Sequence, residues 1–89
     1  MSEPYTLQFT DRALADLKRL DKPIARRILS KLEWLAANTA VIAHVPLSGD
    51  WSGFYRLRVG DYRVIYRLDR DNRLIVVDII GHRSEVYDD

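Results

Sequence analysis

Phe54-Tyr55-Arg56-Leu57-Arg58-Val59-Gly60-Asp61-Tyr62-Arg63-Val64-Ile65-Tyr66-Arg67-Leu68 is the stretch whose reading decides the fold. On both sides of Gly60-Asp61, arginines interrupt apolar and aromatic residues with the period of a strand that buries one face. Glycine at the head of a two-residue loop predicts a type II′ turn, and hence a hairpin. With that loop Leu57 faces Val64, Tyr55 faces Tyr66 and Val59 faces Tyr62, an apolar and aromatic surface suited to covering helices. On the other surface Arg58 faces Arg63, Arg56 faces Ile65 and Phe54 faces Arg67.

Working outward, Arg73–Ile80 is a third strand candidate, which extends the hairpin into a meander. A four-residue loop, Asp69 to Asn72, would put Arg63 opposite Asp78 and place His82 on the same side, just past the strand end. Ile75, Val77 and Ile79 would then join the helix-covered face, unless a bulge breaks the register. Upstream, Tyr5–Phe9 alternates like a strand, and Thr10 or Asp11 supplies a helix N-cap. Leu14, Leu17 and Leu20 follow at helical spacing. Asp21-Lys22-Pro23 punctuates the chain, and Ile24, Ile28, Leu32 and Leu35 form the stripe of a second helix. The connection from Asn38 to Gly53, with Pro46, Ser48-Gly49-Asp50 and Trp51, is longer than most. The order β-α-α-β-β-β predicts an α+β domain, a helical hairpin on one face of a small, mainly antiparallel four-stranded sheet.

The chain has 89 residues, enough for a single domain over 1–89. Apolar residues make up 47% and charged residues 30%, the balance of a soluble globular protein. No apolar run is long enough to cross a membrane, and Met1-Ser2-Glu3-Pro4 lacks the basic and apolar regions of a secretory signal. The absence of cysteine excludes disulfides and zinc–thiolate sites, and the expected location is cytoplasmic.

The net charge of +1 says little, but its distribution says more. Arginines 56, 58, 63, 67, 70 and 73 fall in one short stretch. Arginine presents a planar fork that matches phosphate or carboxylate oxygens. Arg58 opposite Arg63 is a cost to the sheet unless an anion is usually present, with Asp78 as a partial offset. One reading is an anion-binding concavity for nucleic-acid phosphates. The other is a set of solvated arginines paired with Asp61, Asp69 and Asp78.

The chain resembles the RelE/ParE superfamily of toxins, and within it the RelE ribonucleases. The resemblance rests on Tyr5–Phe9 with Ala13-Leu14-Ala15-Asp16-Leu17, Leu47-Ser48-Gly49, Phe54–Arg58, Gly60-Asp61-Tyr62-Arg63-Val64-Ile65-Tyr66 and Gly81-His82-Arg83-Ser84-Glu85-Val86-Tyr87. It implies a RelE-like microbial-ribonuclease-type fold and a toxin that enters the A site of the 70S ribosome and cleaves mRNA without a metal or other cofactor. It also implies a cognate antitoxin that neutralises the toxin and binds the operon DNA, which the toxin meets only through it. On this resemblance Arg63 stabilises the scissile phosphate, and Arg56 stands where known members use a lysine in proton transfer. A second lysine position appears as Phe54. Tyr87 positions or stacks on RNA, and Arg83 with His82 falls where the leaving group is stabilised. Arg58 and Arg67 are the further phosphate-binding candidates.

Arginine at 56 holds its proton too tightly to act as a base, whereas histidine, the residue type at 82, suits proton transfer. His44 has no partner at metal spacing and reads as bland, and Trp34 reads as core or interface. Trp51 reads as a loop anchor, and Tyr55, Tyr62 and Tyr66 as packing residues. Glu85 has no carboxylate partner for acid–base work. A ParE-like gyrase inhibitor shares the expected fold but would not need the basic-plus-tyrosine tail. A decayed toxin serving only as an antitoxin-binding module is the other alternative, and losing the lysines favours it.

Overall fold

The hairpin closes where its glycine predicts. In the computed structural model, which describes residues 4–86, β3 and β4 flank Gly60-Asp61, with Gly60 at φ +59° and Asp61 outside the positive-φ region. That is the backbone pattern of a type II′ turn. The elements in chain order are β1 (Thr6–Phe9), α1 (Asp11–Lys18), α2 (Lys22–Asn38), β2 (Val45–Pro46), a 3-10 turn (Gly49–Trp51), β3 (Tyr55–Val59), β4 (Tyr62–Asp69) and β5 (Leu74–His82). The β3–β4 register matches the expectation, with Tyr55 opposite Tyr66, Arg56 opposite Ile65, Leu57 opposite Val64 and Arg58 opposite Arg63.

Among the described residues, however, the sheet has five strands, not four, in the order β1-β5-β4-β3-β2, and it is mixed because β1 runs parallel to β5. The extra strand lies in the long connection, where Val45 and Pro46 pair with Arg56 and Tyr55. Two residues with a proline give no periodicity to read, and Pro46 is tolerated because this strand is at the edge.

Thr10 caps α1 by accepting the Ala13 N–H at its Oγ1 (3.1 Å). Ala13 is the fully buried residue of α1, because its small side chain lets the helix approach the sheet. Leu14, expected to be apolar stripe, is exposed, while Leu17 and Leu20 pack at the margin of the core. The stripe of α2 is as predicted: Ile28, Leu32 and Leu35 are wholly buried. They meet Val59, Val64, Tyr66, Ile75, Val77 and Ile80 from the sheet.

The β4–β5 register departs from expectation in two steps. The loop closes at Asp69 opposite Leu74, one residue later than expected on each strand, with Arg73 at φ +53°. Asp69 holds this turn by accepting from the Asn72 backbone N–H (3.1 Å) and side-chain amide (2.9 Å). Those bonds keep its carboxyl below the usual carboxylate range. A bulge at Asp78 then shifts the pairing again, from Tyr66 opposite Val77 to Ile65 opposite Ile79. Consequently Arg63 faces Gly81 and not Asp78, Ile79 leaves the helix-covered face for the open one, and Ile80 takes its place.

Beyond the bulge β1 no longer reaches β5, and a side chain replaces it. The buried Asp16 accepts the Ile80 N–H at Oδ2 (3.0 Å) and binds Arg19 through Oδ1 (2.5 Å). On the open face a second apolar cluster forms from Leu47, Ile65, Ile79 and Val86, with Trp51 and Phe54 packed against it. Among the described residues no helix is long and apolar enough to cross a membrane.

Candidate nucleic-acid interface

The open face divides into two parts. One is the cluster under Trp51, whose ring meets Phe54 edge-on at 5.1 Å. Trp51 thus anchors its loop, as read from the sequence. The other part, toward the β3–β4 turn, carries arginines. Arg63 is only 7% exposed, and its Nη1 donates to the carbonyls of Gly60 (3.0 Å) and Tyr62 (2.9 Å). A guanidinium so pinned loses little entropy when an anion arrives. Arg58 stands directly opposite it and is exposed, and Arg56 is the next residue of β3 with the same parity.

Arg56 and Arg58 serve two surfaces at once. They have the parity of the open face, yet both also line a groove between β3 and α2, because β2 covers β3 only at Tyr55 and Arg56. Sheet parity alone assigns them to a single face.

The expected fourth arginine is already engaged. Arg67 donates from Nε to Oδ2 of Asp78 (2.8 Å) and from Nη2 to Oδ1 (3.2 Å), and lies over the Phe54 ring. Asp78 holds the Arg67 guanidinium even more firmly protonated than usual.

The tail residues end up in different places. Arg83 sits at the tip of the β3–β4 turn, its N–H donating to the Asp61 carbonyl (2.8 Å) and its side chain 4.0 Å from the Asp61 carboxylate. His82 is the last residue of β5, opposite Tyr62, whose ring it meets edge-on at 5.5 Å. The bulge therefore puts His82 on the side opposite to Arg63, contrary to the expected register. Its Nδ1 accepts the Ser84 N–H (3.1 Å) and bonds the Ser84 hydroxyl (2.9 Å). The turn is completed by Glu85 and Val86, whose N–H groups both donate to the His82 carbonyl (2.8 and 3.1 Å). It folds the chain back over Gly81, where a Cβ would come within 2.8 Å of Val86 Cγ2. Tyr87 lies outside the described residues. Among those described, no three His, Asp or Glu side chains stand together in a way that would hold a metal ion.

The sequence reading missed His44. Its Nε2 bonds the Thr39 carbonyl (3.0 Å) and its Nδ1 bonds the Tyr66 hydroxyl (2.5 Å), so a neutral ring donates at one end and accepts at the other. Burial, then the neighbouring Tyr55, hold the Tyr66 phenol above its ordinary value, with Arg70 pulling the other way. The bond ties the long connection to the centre of the sheet. No local spacing signals a partner so far along the chain.

Comparison with known proteins places this geometry. Residues 7–87 match the family of ParE toxins of type II toxin–antitoxin systems. The chain belongs to the RelE/ParE superfamily of toxins. Toxin RelG of Mycobacterium tuberculosis is 29% identical over 94% of this chain and 97% of its own length. Toxin RelE of the same organism is 32% identical over 94% of this chain and 87% of its own. In the crystal structure of the toxin–antitoxin complex RelBE2 from that organism, a matched chain is 29% identical with a TM-score of 0.82, covering 92% of this chain and 94% of that one. The toxin thus has the RelE-like α+β fold expected from its motifs, and the RelBE2 relative was crystallised with an antitoxin.

Proposed function

We propose that this toxin is a ribosome-dependent mRNA endoribonuclease, active in the cytoplasm and neutralised by a cognate antitoxin. The observation that carries the reading is Arg58 directly opposite a buried, pinned Arg63. Like charges so placed favour a resident anion, and RNA supplies one at every linkage. In the reaction the ribose 2′-oxygen bonds to the adjacent phosphorus and the 5′-oxygen leaves, giving a 2′,3′-cyclic phosphate and a 5′-hydroxyl. This displacement needs no metal in principle, only charge stabilisation and proton movement.

Arg63 and Arg56 hold the phosphate oxygens as negative charge builds, and Arg58 holds a flanking phosphate. Arg83, at the turn tip, stabilises the leaving 5′-oxygen, which takes its proton from water. Tyr87 orients the RNA, a role resting on the family resemblance alone. His82 faces away from Arg63 and accepts from Ser84 N–H, so we assign it to setting the turn that carries Arg83. Arg67 belongs to Asp78. Each arginine on this face holds its proton too tightly to take one from the 2′-hydroxyl. Groups of the ribosomal A site are therefore assigned the removal of that proton, which accounts for ribosome dependence.

The test is cell-free translation with purified toxin, mapping mRNA 5′ ends by primer extension. Wild type should cut within translated codons and Arg63→Ala should lose at least a hundredfold, while antitoxin binding persists. The match to ParE toxins supports a second reading, inhibition of DNA gyrase. Growth arrest without new mRNA ends, together with lost supercoiling activity, would select it.

A further inference from the structure

The groove between α2 and the uncovered part of β3 lies on the far side of β3 from the apolar cluster of the open face. It comprises two adjoining hollows of about 410 and 500 Å³ that share Lys31, Trp34 and Arg58. Its floor is apolar, with Leu35, Ile42 and Leu57, and is closed by the His44–Tyr66 pair. Its rim is cationic: Arg27, Lys31, Arg56 and Arg58 line it, and among the described residues no aspartate or glutamate does. Trp34 stands 43% exposed on one wall with the Lys31 ammonium 4.0 Å from its ring centre, and Val45 is 45% exposed on the other. An indole and a valine left in water beside a basic rim leave apolar area and positive charge to be satisfied together.

We propose that this groove receives an acidic segment of the antitoxin, which inserts a bulky apolar side chain against Trp34 and sets carboxylates on Lys31, Arg27 and Arg58. A protein segment fits better than RNA, because bases stacking in succession need a row of open ring faces, whereas the Trp34 ring carries the Lys31 ammonium and the His44 ring is bonded to Tyr66. This inference rests on the antitoxin partner named above and adds how neutralisation works. Arg56 and Arg58 belong both to the groove and to the phosphate-binding face. Carboxylates seated in the groove hold these two guanidiniums on the α2 side of β3, and RNA loses them. The antitoxin therefore silences the toxin without reaching Arg63.

The experiment uses the purified antitoxin encoded beside the toxin, titrated calorimetrically into wild-type toxin and the variants Lys31→Glu, Trp34→Ala and Arg12→Glu. Lys31 and Trp34 are outside the cleavage machinery, and Arg12 is a cation on α1, away from the groove. Lys31→Glu and Trp34→Ala should each weaken binding at least twentyfold, with Arg12→Glu within twofold of wild type. Circular dichroism melts confirm that each variant is folded. Because Trp34 is half-exposed its truncation leaves the core intact, and the Lys31→Glu arm stands by itself if it does not. Equal binding by all variants overturns the proposal, as does a loss confined to Trp34→Ala, which would mean an uncharged occupant. So does displacement of the antitoxin by a short single-stranded RNA from wild type but not from Trp34→Ala, which would make the groove an RNA site. Failure of the ribonuclease reading shows separately, as absent cleavage by wild type with these binding differences unchanged.

Discussion

At Nδ1, His82 accepts a hydrogen from a backbone amide, so that nitrogen carries no proton while the turn from His82 to Val86 is formed. Asparagine can offer a side-chain oxygen in nearly the same place, as it does in Asx turns. His82→Ala should therefore lower mRNA cleavage about tenfold, close to 1.4 kcal/mol in the barrier, and His82→Asn should restore most of it. Primer-extension rates for the two variants check this. An asparagine variant as slow as alanine, with its turn intact, would return the proton-transfer role to the histidine. The residue types of this site were readable in the sequence, since arginines at strand spacing need only the period of a strand to be grouped. The side on which His82 falls was not readable, because it depends on one extra residue at Asp78 that no pattern of apolar and polar letters announces. His44 was equally hidden, its two partners being fixed by the fold and not by spacing.

Among the elements, α1 is short, and its hold on the sheet depends on a carboxylate. Asp16 stands in for a missing strand at the Ile80 N–H and is 5% exposed. Removing it leaves a buried amide without an acceptor and Arg19 without its closest partner, a loss on the order of 2–4 kcal/mol. Asp16→Ala should lower the unfolding free energy by that amount, read as a lower urea midpoint, and hydrogen exchange should accelerate first at Ile80. An unchanged midpoint would mean that water satisfies the amide. The helices and the β3–β4 hairpin were legible because each carries its own periodic stripe or a glycine turn. The β4–β5 register was not, because Arg73 takes a left-handed conformation and stays in the loop, which moves the closing pair one residue later on each strand. The edge strand Val45–Pro46 is set wholly by its neighbour β3.

For the molecule as a whole, the arrangement separates charge that serves the fold from charge that serves a partner. Arg67 is spent on Asp78, whereas Arg58 is exposed opposite Arg63. Binding to a single-stranded RNA should weaken with salt by about 0.7 logarithmic units per phosphate engaged. Arg58→Ala should flatten the slope by about that amount, and Arg67→Ala should leave it unchanged. Fluorescence anisotropy across a salt series reads both, and an equal flattening by Arg67→Ala would place that arginine on RNA.

The parallel pairing of β1 with β5 has a consequence for synthesis. Thr6–Phe9 is made 68 residues ahead of its partners, Leu74–Val77. The sheet therefore stays open while those intervening residues are made, with the first strand waiting for its neighbour. Arg63 meets Gly81, and the tail folds back over it, only after that late strand has emerged. Until then the nascent chain has its first strand unpaired and no finished sheet behind Arg63.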